Sequence, residues 1–144
     1  MKKCSDVMTK NPVCCLPTDS VSKAAQLMKA ENVGSIPVIE DEQTMKLIGI
    51  VTDRDLAVQV VAPERDAGST QVSDVMTYEV VSCRASDDVQ KAVDAMSQHQ
   101  LRRMPVIDSD HRIVGIISQA DVATRVDRTE ETAELVKEIS QPTV

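Results

Sequence analysis

The five residues SDVMT at positions 5–9 return unchanged at positions 73–77, 68 residues further along the chain. The same separation relates PVI at 37–39 to PVI at 105–107. Two identical segments at one spacing, with matching residues between them, indicate an internal duplication. This duplication determines the type of fold to expect, before the local pattern of each copy is considered. We therefore expect two copies of one structural unit.

After the second match the separation falls to 66 residues, since GI at 49–50 returns at 115–116. The missing two residues come from the polar stretch EDEQTM, where changes of loop length are tolerated. We predict a first repeat at 1–66, a second at 67–127 and a C-terminal helix and tail at 128–144.

Each copy predicts the order strand, helix, strand, strand, helix. Apolar residues recur at helical spacing from Val21 and from Val89. The predicted N-caps are Thr18 and Ser86, or the aspartate after each. In each copy a polar turn joins two β-branched runs, which predicts a hairpin. The fold class is α/β (α+β).

Composition excludes several classes of protein. The chain of 144 residues has 16 Lys plus Arg against 23 Asp plus Glu, a net charge of −7, and a single aromatic residue, a tyrosine. Nucleic acid is not an expected partner, because its binders use basic and stacking surfaces. No apolar run approaches the about 20 residues that span a bilayer, so we expect a cytoplasmic protein with no membrane partner.

The cysteines and histidines form no metal-binding or catalytic pattern. The cysteines are Cys4, Cys14, Cys15 and Cys83. They are interpreted as small buried hydrophobic residues, with a redox switch through Cys14, Cys15 or Cys83 as the alternative. The histidines, His99 and His111, are expected to face solvent. We predict no metal site and no enzymatic activity.

A hydroxyl residue and an aspartate follow the last strand of each copy, as Thr52 and Asp55 in TDRD and as Ser118 and Asp121 in SQAD. Before a helix this spacing is typical of a capping box with Asp in place of Glu. It also suits a nucleotide, because a carboxylate accepts hydrogen bonds from both ribose hydroxyls while a hydroxyl and free backbone N–H groups bind phosphate. The two interpretations are compatible.

The opening DVMT, the IPVI or MPVI strand, and GIVTDRD or GIISQAD together resemble the CBS (cystathionine beta-synthase) domain, and two in tandem resemble a Bateman module. The likeness covers nearly the whole chain. The tail VKEISQP is similar to standalone bacterial CBS-pair proteins of the hypoxic response type. The resemblance implies two repeats related by pseudo-twofold symmetry, with the TDRD and SQAD aspartates on ribose and their hydroxyl residues on phosphate.

The resemblance also implies that each ligand pocket draws residues from both repeats. The SQAD motif would face residues 8–13 and 33–36, and the TDRD motif would face residues 76–81 and 101–104. The further predicted ligand contacts are Thr9, Val13, Val33, Ser35, Ile36, Thr77, Val81, Arg102, Arg103 and Met104.

Arg102 and Arg103 distinguish the copies, because Gly34 and Ser35 stand at the matching positions. The planar guanidinium fork suits phosphate, so we expect these arginines to complete an anion-bearing pocket with the TDRD motif. The alternative is a pair of solvated surface arginines.

We therefore expect a regulatory, energy-sensing stress-response protein that binds an adenine nucleotide (AMP, ADP or ATP), requires no cofactor and acts on an unidentified protein target. The alternatives are a ligand-free dimerisation or adaptor protein and a thiol-redox sensor. NAD-type ligands and S-adenosylmethionine stay open as ligands.

A homodimer is also expected, because the helices carry apolar stripes that one chain leaves poorly covered. The stripes comprise Val21, Ala25, Met28, Val89, Val93 and Met96 on the first helices, and Leu56, Val60, Val61, Val122 and Val126 on the second. The acidic tail predicts a terminal helix with Ala133, Val136 and Ile139 on one face.

Overall fold

The computed structural model describes residues 2–125. The α-helices are α1 (Cys4–Val7), α2 (Val21–Glu31), α3 (Asp53–Leu56), α4 (Val89–His99) and α5 (Gln119–Arg125). The strands are β1 (Thr9–Lys10), β2 (Ser35–Ile39), β3 (Leu47–Thr52), β4 (Cys83–Arg84), β5 (Arg103–Ile107) and β6 (Ile113–Ser118). A π-helical turn at Ala57–Val61 continues α3, and a 3-10 turn lies at Val72–Asp74. The predicted mixed α/β class is confirmed, and none of the helices in residues 2–125 is long and apolar enough to cross a membrane.

The chain divides into two compact units that do not follow the order of the sequence repeats. Among the described residues, the discontinuous unit combines residues 2–12 with residues 81–125, and the continuous unit is residues 13–80. The opening segment of the first repeat thus belongs to the unit formed by the second repeat. The repeat boundaries given above describe the sequence duplication and stay a prediction.

In the discontinuous unit the sheet has the order β1-β6-β5-β4. The hairpin β5–β6 is antiparallel and sets Arg103 opposite Ser118, while β4 lies parallel to β5. One face of α4 is buried through Val89, Ala92, Val93 and Met96, which share a core with the sheet. Most residues of β5 and β6 are buried, so the core holds the register of the hairpin that leads into α5.

The continuous unit repeats this arrangement with fewer regular strands. Its hairpin β2–β3 sets Ser35 opposite Thr52. Isolated bridges stand where the other unit has its outer strands, β4 and β1. Cys15 forms a parallel bridge with Val38, and Ile50 forms an antiparallel bridge with Thr77. Both predicted hairpins are confirmed. The predicted first strand of this copy is reduced to a bridge at Cys15, because only one residue there pairs with the sheet.

The predicted N-caps of α2 and α4 are wrong. The helices begin after Ser20 and Asp88. The prediction had placed the caps at Thr18 and Ser86 or at the aspartate following each. The caps therefore lie one or two residues later than predicted, whereas the helices begin at Val21 and Val89, where the apolar spacing begins.

The turn before α2 gives the physical reason. Asp19 accepts a hydrogen bond from the N–H of Leu16 at 2.8 Å, so its carboxylate closes the turn. Ser20 is then the residue whose hydroxyl accepts the N–H of Lys23, at 3.1 Å. The turn before α4 has the same form, with Asp87 accepting from the N–H of Arg84 at 2.8 Å.

The helix stripes predicted to form a dimer contact are mostly buried within their own units. Five of the six residues on the first helices are buried, namely Val21, Met28, Val89, Val93 and Met96, and so are Val60 and Val122. This part of the dimer prediction is wrong, because α2 and α4 use their apolar faces for the unit cores. The large apolar side chains that remain exposed include Val58 and Val61 of the π-helical turn. The predicted terminal helix, and Val126, lie outside the described residues.

Candidate ligand-binding site

The TDRD motif joins the end of β3 to the start of α3 and forms a capping box. The Thr52 hydroxyl accepts the N–H of Asp55 at 3.0 Å, and the Asp55 carboxylate accepts the N–H of Thr52 at 2.9 Å. The SQAD motif repeats this geometry between β6 and α5, with both bonds between Ser118 and Asp121 at 3.1 Å. The capping interpretation is therefore confirmed in both copies.

Capping leaves acceptor capacity on both carboxylates. An ionised carboxylate offers about four lone-pair sites, and the cap uses one oxygen of Asp55. Asp55 and Asp121 are each only half-buried, so ligand hydroxyls can reach them. The geometry thus allows the same aspartate to cap a helix and to bind a sugar.

The SQAD aspartate is in contact with the opening segment of the chain. The Thr9 hydroxyl lies 3.3 Å from Oδ1 and 3.4 Å from Oδ2 of Asp121, to which it donates. Residues 8–13 were expected to face this motif, and the structure brings Thr9 to it. Thr77 holds the matching place in the continuous unit, where its N–H donates to the carbonyl of Ile50 at 2.8 Å.

A glycine in the last strand of each copy allows this close approach. A Cβ at Gly115 would lie 2.5 Å from Met8 Sδ and 2.8 Å from the Thr9 carbonyl oxygen. At Gly49 the corresponding distances to Met76 Sδ and the Thr77 oxygen are both 3.0 Å. The opening segments can lie beside β6 and β3 because these strands carry no side chain there.

Arg102 and Arg103 lie beside the SQAD motif of their own unit. Arg103 is opposite Ser118 in the β5–β6 hairpin, and the Arg102 carbonyl accepts the N–H of Gln119 at 2.8 Å. The hairpin explains this position, because antiparallel pairing returns the end of β6 to the start of β5. The expectation that these arginines form a pocket with the TDRD motif stays a prediction.

An open groove of about 400 Å³ lies at this point in the discontinuous unit. Its lining comprises Arg102, Ser118, Gln119, Ala120 and Ala123. The last three residues were missed by the sequence analysis, although the spacing of Ala120 and Ala123 is that of one exposed helix face. The groove thus brings together the cationic side chain of Arg102, the hydroxyl of Ser118 and a surface of small side chains that a flat ligand could approach.

The other predicted contacts are distributed over both units. Val13, Val33, Ser35, Ile36 and Thr77 lie in the continuous unit with the TDRD motif, and Val81 and Met104 lie in the discontinuous unit. Ile36 and Met104 are 1% and 0% exposed, since both are core residues. Both residues therefore pack in the cores of their units, and the prediction that they bind ligand stays a prediction.

Three of the cysteines are buried, and Cys14 is half-buried. Burial raises the pKa of Cys14 to about 11, with the neighbouring Cys15 adding to the effect. Burial and the charge of Asp19 raise the pKa of Cys15 to about 11. These two thiols stay protonated near neutral pH, as expected of structural cysteines.

The two histidines are exposed, as predicted. Within residues 2–125, no group of three or more His, Cys, Asp or Glu side chains is placed to hold a metal ion.

The sequence comparisons identify relatives along the whole chain. The CBS domain matches residues 4–61 and 72–128. The CBS domain-containing protein YhcV of Bacillus subtilis is 37% identical over 144 residues, which is 100% of this chain and 99% of that protein. Hypoxic response protein 1 of Mycobacterium tuberculosis is 31% identical over 123 residues, covering 85% of this chain and 84% of that protein.

Solved structures of similar proteins include complexes with adenosine-containing ligands. Hypoxic Response Protein I with two coordinated zinc ions has a TM-score of 0.76 and 30% identity, over 87% of this chain and 99% of that one. CBSX2 in complex with AMP has a TM-score of 0.72 and 27% identity, over 85% and 94%. The CBS domain pair of MJ0100, in complex with 5-methylthioadenosine and S-adenosyl-L-methionine, has a TM-score of 0.71 and 26% identity, over 85% and 94%.

The duplicated motif, the doubled capping box and the paired hairpins agree with these matches. The chain belongs to the CBS domain family and carries two copies of the domain.

Proposed function

We propose that this CBS pair is a non-catalytic regulatory protein that binds an adenine nucleotide through its SQAD and TDRD motifs. The ligand class is AMP, ADP or ATP. In this role the protein is cytoplasmic and dimeric, senses cellular energy or stress, and passes the state of its ligand to a protein partner.

The groove beside the SQAD motif is the observation that carries the proposal. Ser118 and Arg102 line the groove and supply donors for phosphate, while Asp121, which accepts the N–H of Ser118 and is not itself a lining residue, supplies acceptors for ribose hydroxyls. A volume of about 400 Å³ falls within the usual range of small-molecule sites. The AMP complex of CBSX2 supports the ligand class, because that protein is similar over most of both chains.

The TDRD motif supplies the same hydroxyl and carboxylate with a different placement of arginines. Gly34 and Ser35 stand where the other copy has Arg102 and Arg103, whereas Arg54 stands where the other copy has Ala120. We assign a phosphate-bearing site to the groove that Arg102 and Ser118 line. The pocket of the TDRD motif with Arg102 and Arg103 stays a prediction.

Calorimetric titration of the full chain with AMP, ADP, ATP, adenosine and S-adenosylmethionine tests the proposal, with GMP as the base control. Asp121→Asn and Asp55→Asn are suitable variants, because asparagine can still accept the capping hydrogen bond. Each is expected to weaken nucleotide binding at its own site by about 10-fold to 150-fold, the value of a hydrogen bond to a charged group.

Asp110→Asn is the matched control, because Asp110 is an exposed aspartate in the β5–β6 turn of the same unit. It should bind every ligand like the parent. If the Asp55→Asn, Asp121→Asn double variant bound adenine nucleotides as well as the parent, the site assignment would be wrong. If the parent bound none of the ligands, the ligand-free adaptor would replace the nucleotide sensor.

A further inference from the structure

Cys4 and Cys83 are adjacent thiols in the core of the discontinuous unit. Cys4 begins α1 and Cys83 begins β4, and they are 0% and 5% exposed in one hydrophobic cluster. Each thiol donates to a backbone carbonyl, Cys4 Sγ to Asp88 at 3.8 Å and Cys83 Sγ to Pro105 at 3.9 Å, and the two side chains are near enough to shift each other's pKa. Their positions are set by the backbone, since the N–H of Cys4 donates to the Asp87 carbonyl at 2.8 Å and that of Ser5 to the Ala85 carbonyl at 3.1 Å.

The continuous unit shows that packing does not require this pair. Its matching positions are Val72 and Cys15, both fully buried. The backbone frame is the same, since the N–H of Val72 donates to the Asp19 carbonyl at 2.8 Å and that of Ser73 to the Pro17 carbonyl at 3.0 Å. A valine therefore fills the place of Cys4, and the second thiol is a chemical difference between two otherwise similar cores.

We propose that Cys4 and Cys83 are an oxidation site, at which hydrogen peroxide converts the two neighbouring thiols into an intramolecular disulfide. The four-residue helix α1 holds Cys4 near the start of the chain, so opening of this short segment gives peroxide access to the sulfur.

The interaction between the two thiols assigns their roles. Cys83 lowers the pKa of Cys4, while Cys4, together with burial, raises the pKa of Cys83. The Cys4 thiolate attacks one peroxide oxygen, the O–O bond breaks, and a sulfenic acid and hydroxide form. The Cys83 sulfur then attacks the sulfenic sulfur, its proton joins the leaving hydroxide, and water departs as the S–S bond forms. Two thiol groups are oxidised for each peroxide reduced.

The disulfide would covalently close the chain from residue 4 to residue 83 and thus enclose the entire continuous unit, residues 13–80. It would also retain the opening segment, including Thr9 beside Asp121, in the discontinuous unit. Closing so long a loop restricts the unfolded chain, and we expect the melting temperature to rise by about 5 to 15 °C.

The experiment treats the full chain with hydrogen peroxide and counts free thiols in denaturant, with disulfide mapping by mass spectrometry. The thiol count should fall from four to two, and the mapped link should join Cys4 to Cys83. Reduction should restore both thiols and the original melting temperature.

Cys4→Val is the matched variant, because valine occupies the same place in the other core. It should fold, form no such disulfide and show no rise in melting temperature after peroxide. Val72→Cys is the gain-of-function counterpart, expected to add a second link to Cys15. A peroxide-treated parent with Cys4 and Cys83 unlinked, a link mapped instead to Cys14, or no new link in Val72→Cys would each overturn the proposal.

Discussion

Arg102 is a residue at which the two copies differ in charge, because glycine stands at the matching position 34. Its chemistry was evident from sequence, since a guanidinium group suits phosphate. Its location was not evident from sequence. Arg102 lies beside the SQAD motif because of hairpin pairing across 16 intervening positions, and not because of neighbouring residues. The same limit applies to Gln119 and Ala123, whose place in the groove depends on where α5 begins.

Arg102→Ala is expected to lower the preference for AMP over adenosine. The loss should be about 1.5 to 3 kcal/mol in binding free energy, the value of a charge-assisted hydrogen bond. Added salt should reduce the effect, since Arg102 is exposed and the interaction is partly screened. Titration with both ligands at low and high salt measures it, and Arg112→Ala, an exposed arginine in the β5–β6 turn, is the control. An unchanged preference at low salt would remove Arg102 from the phosphate site.

Alkylation of Cys14 should be strongly dependent on pH. Burial raises its pKa to about 11, so the protonated thiol dominates at neutral pH and the reactive thiolate grows about tenfold per pH unit below that value. Iodoacetamide labelling followed by peptide mass spectrometry should show this increase at Cys14. A Cys14→Ser chain gives the background, and a rate already at its maximum near pH 8 would contradict the raised pKa.

Among the elements, hairpins were predictable and boundaries were not. The runs IPVI and LIGIVT are dominated by β-branched residues and separated by a polar turn, and they form β2 and β3 as expected. The caps at Thr18 and Ser86 failed because several polar residues compete before each helix, and the turn bonds of Asp19 and Asp87 decide among them. The π-helical turn at Ala57–Val61 has no marker in the sequence that distinguishes it from an α-helix.

Gly115→Ala should destabilise the contact between β1 and β6. The new Cβ would meet Met8 Sδ at 2.5 Å and the Thr9 carbonyl oxygen at 2.8 Å, and backbone cannot yield as a flexible side chain can. We expect a loss of about 1 to 3 kcal/mol in the free energy of unfolding, as for other overpacked sites. Chemical denaturation of the full chain measures it.

Gly49→Ala, with its nearest contacts at 3.0 Å, should lose less. Gly68→Ala is the control, because its Cβ would lie 3.6 Å from Asp66 Oδ2, an ordinary contact. This control should leave stability unchanged or raise it by up to about 1 kcal/mol. If Gly115→Ala lowered the free energy of unfolding no more than Gly68→Ala does, β1 would be able to move away from β6 at little cost.

For the whole molecule, the duplication was readable from sequence but the composition of the compact units was not. The segment at 4–12 has no local pattern that assigns it to residues more than a hundred positions away. The structure supplies this assignment through β1, which pairs with β6. The structure also shows that most of the apolar helix residues predicted from periodicity pack in the cores of the units.

We expect a homodimer whose contact includes the π-helical turn, where Val58 and Val61 are 49% and 72% exposed. Burying adjacent exposed valines favours self-association, and twofold symmetry is its commonest form. Light scattering over a concentration series should give twice the 15.7 kDa of one chain. Val58→Asp with Val61→Asp should shift the mass toward the monomer, and Gln59→Asp should not. A parent that stays at 15.7 kDa at high concentration excludes the dimer.

The interleaved units determine the order in which the chain can fold as it leaves the ribosome. The continuous unit is complete once residue 80 has emerged, whereas residues 4–12 must wait until β6 at Ile113–Ser118 has been synthesised. During that interval Val7 and Met8, which are buried in the finished protein, have no core to enter. Residues 4–12 are thus synthesised before the continuous unit but reach their native place after it, and the interval before β6 emerges is when this apolar segment most needs protection from aggregation.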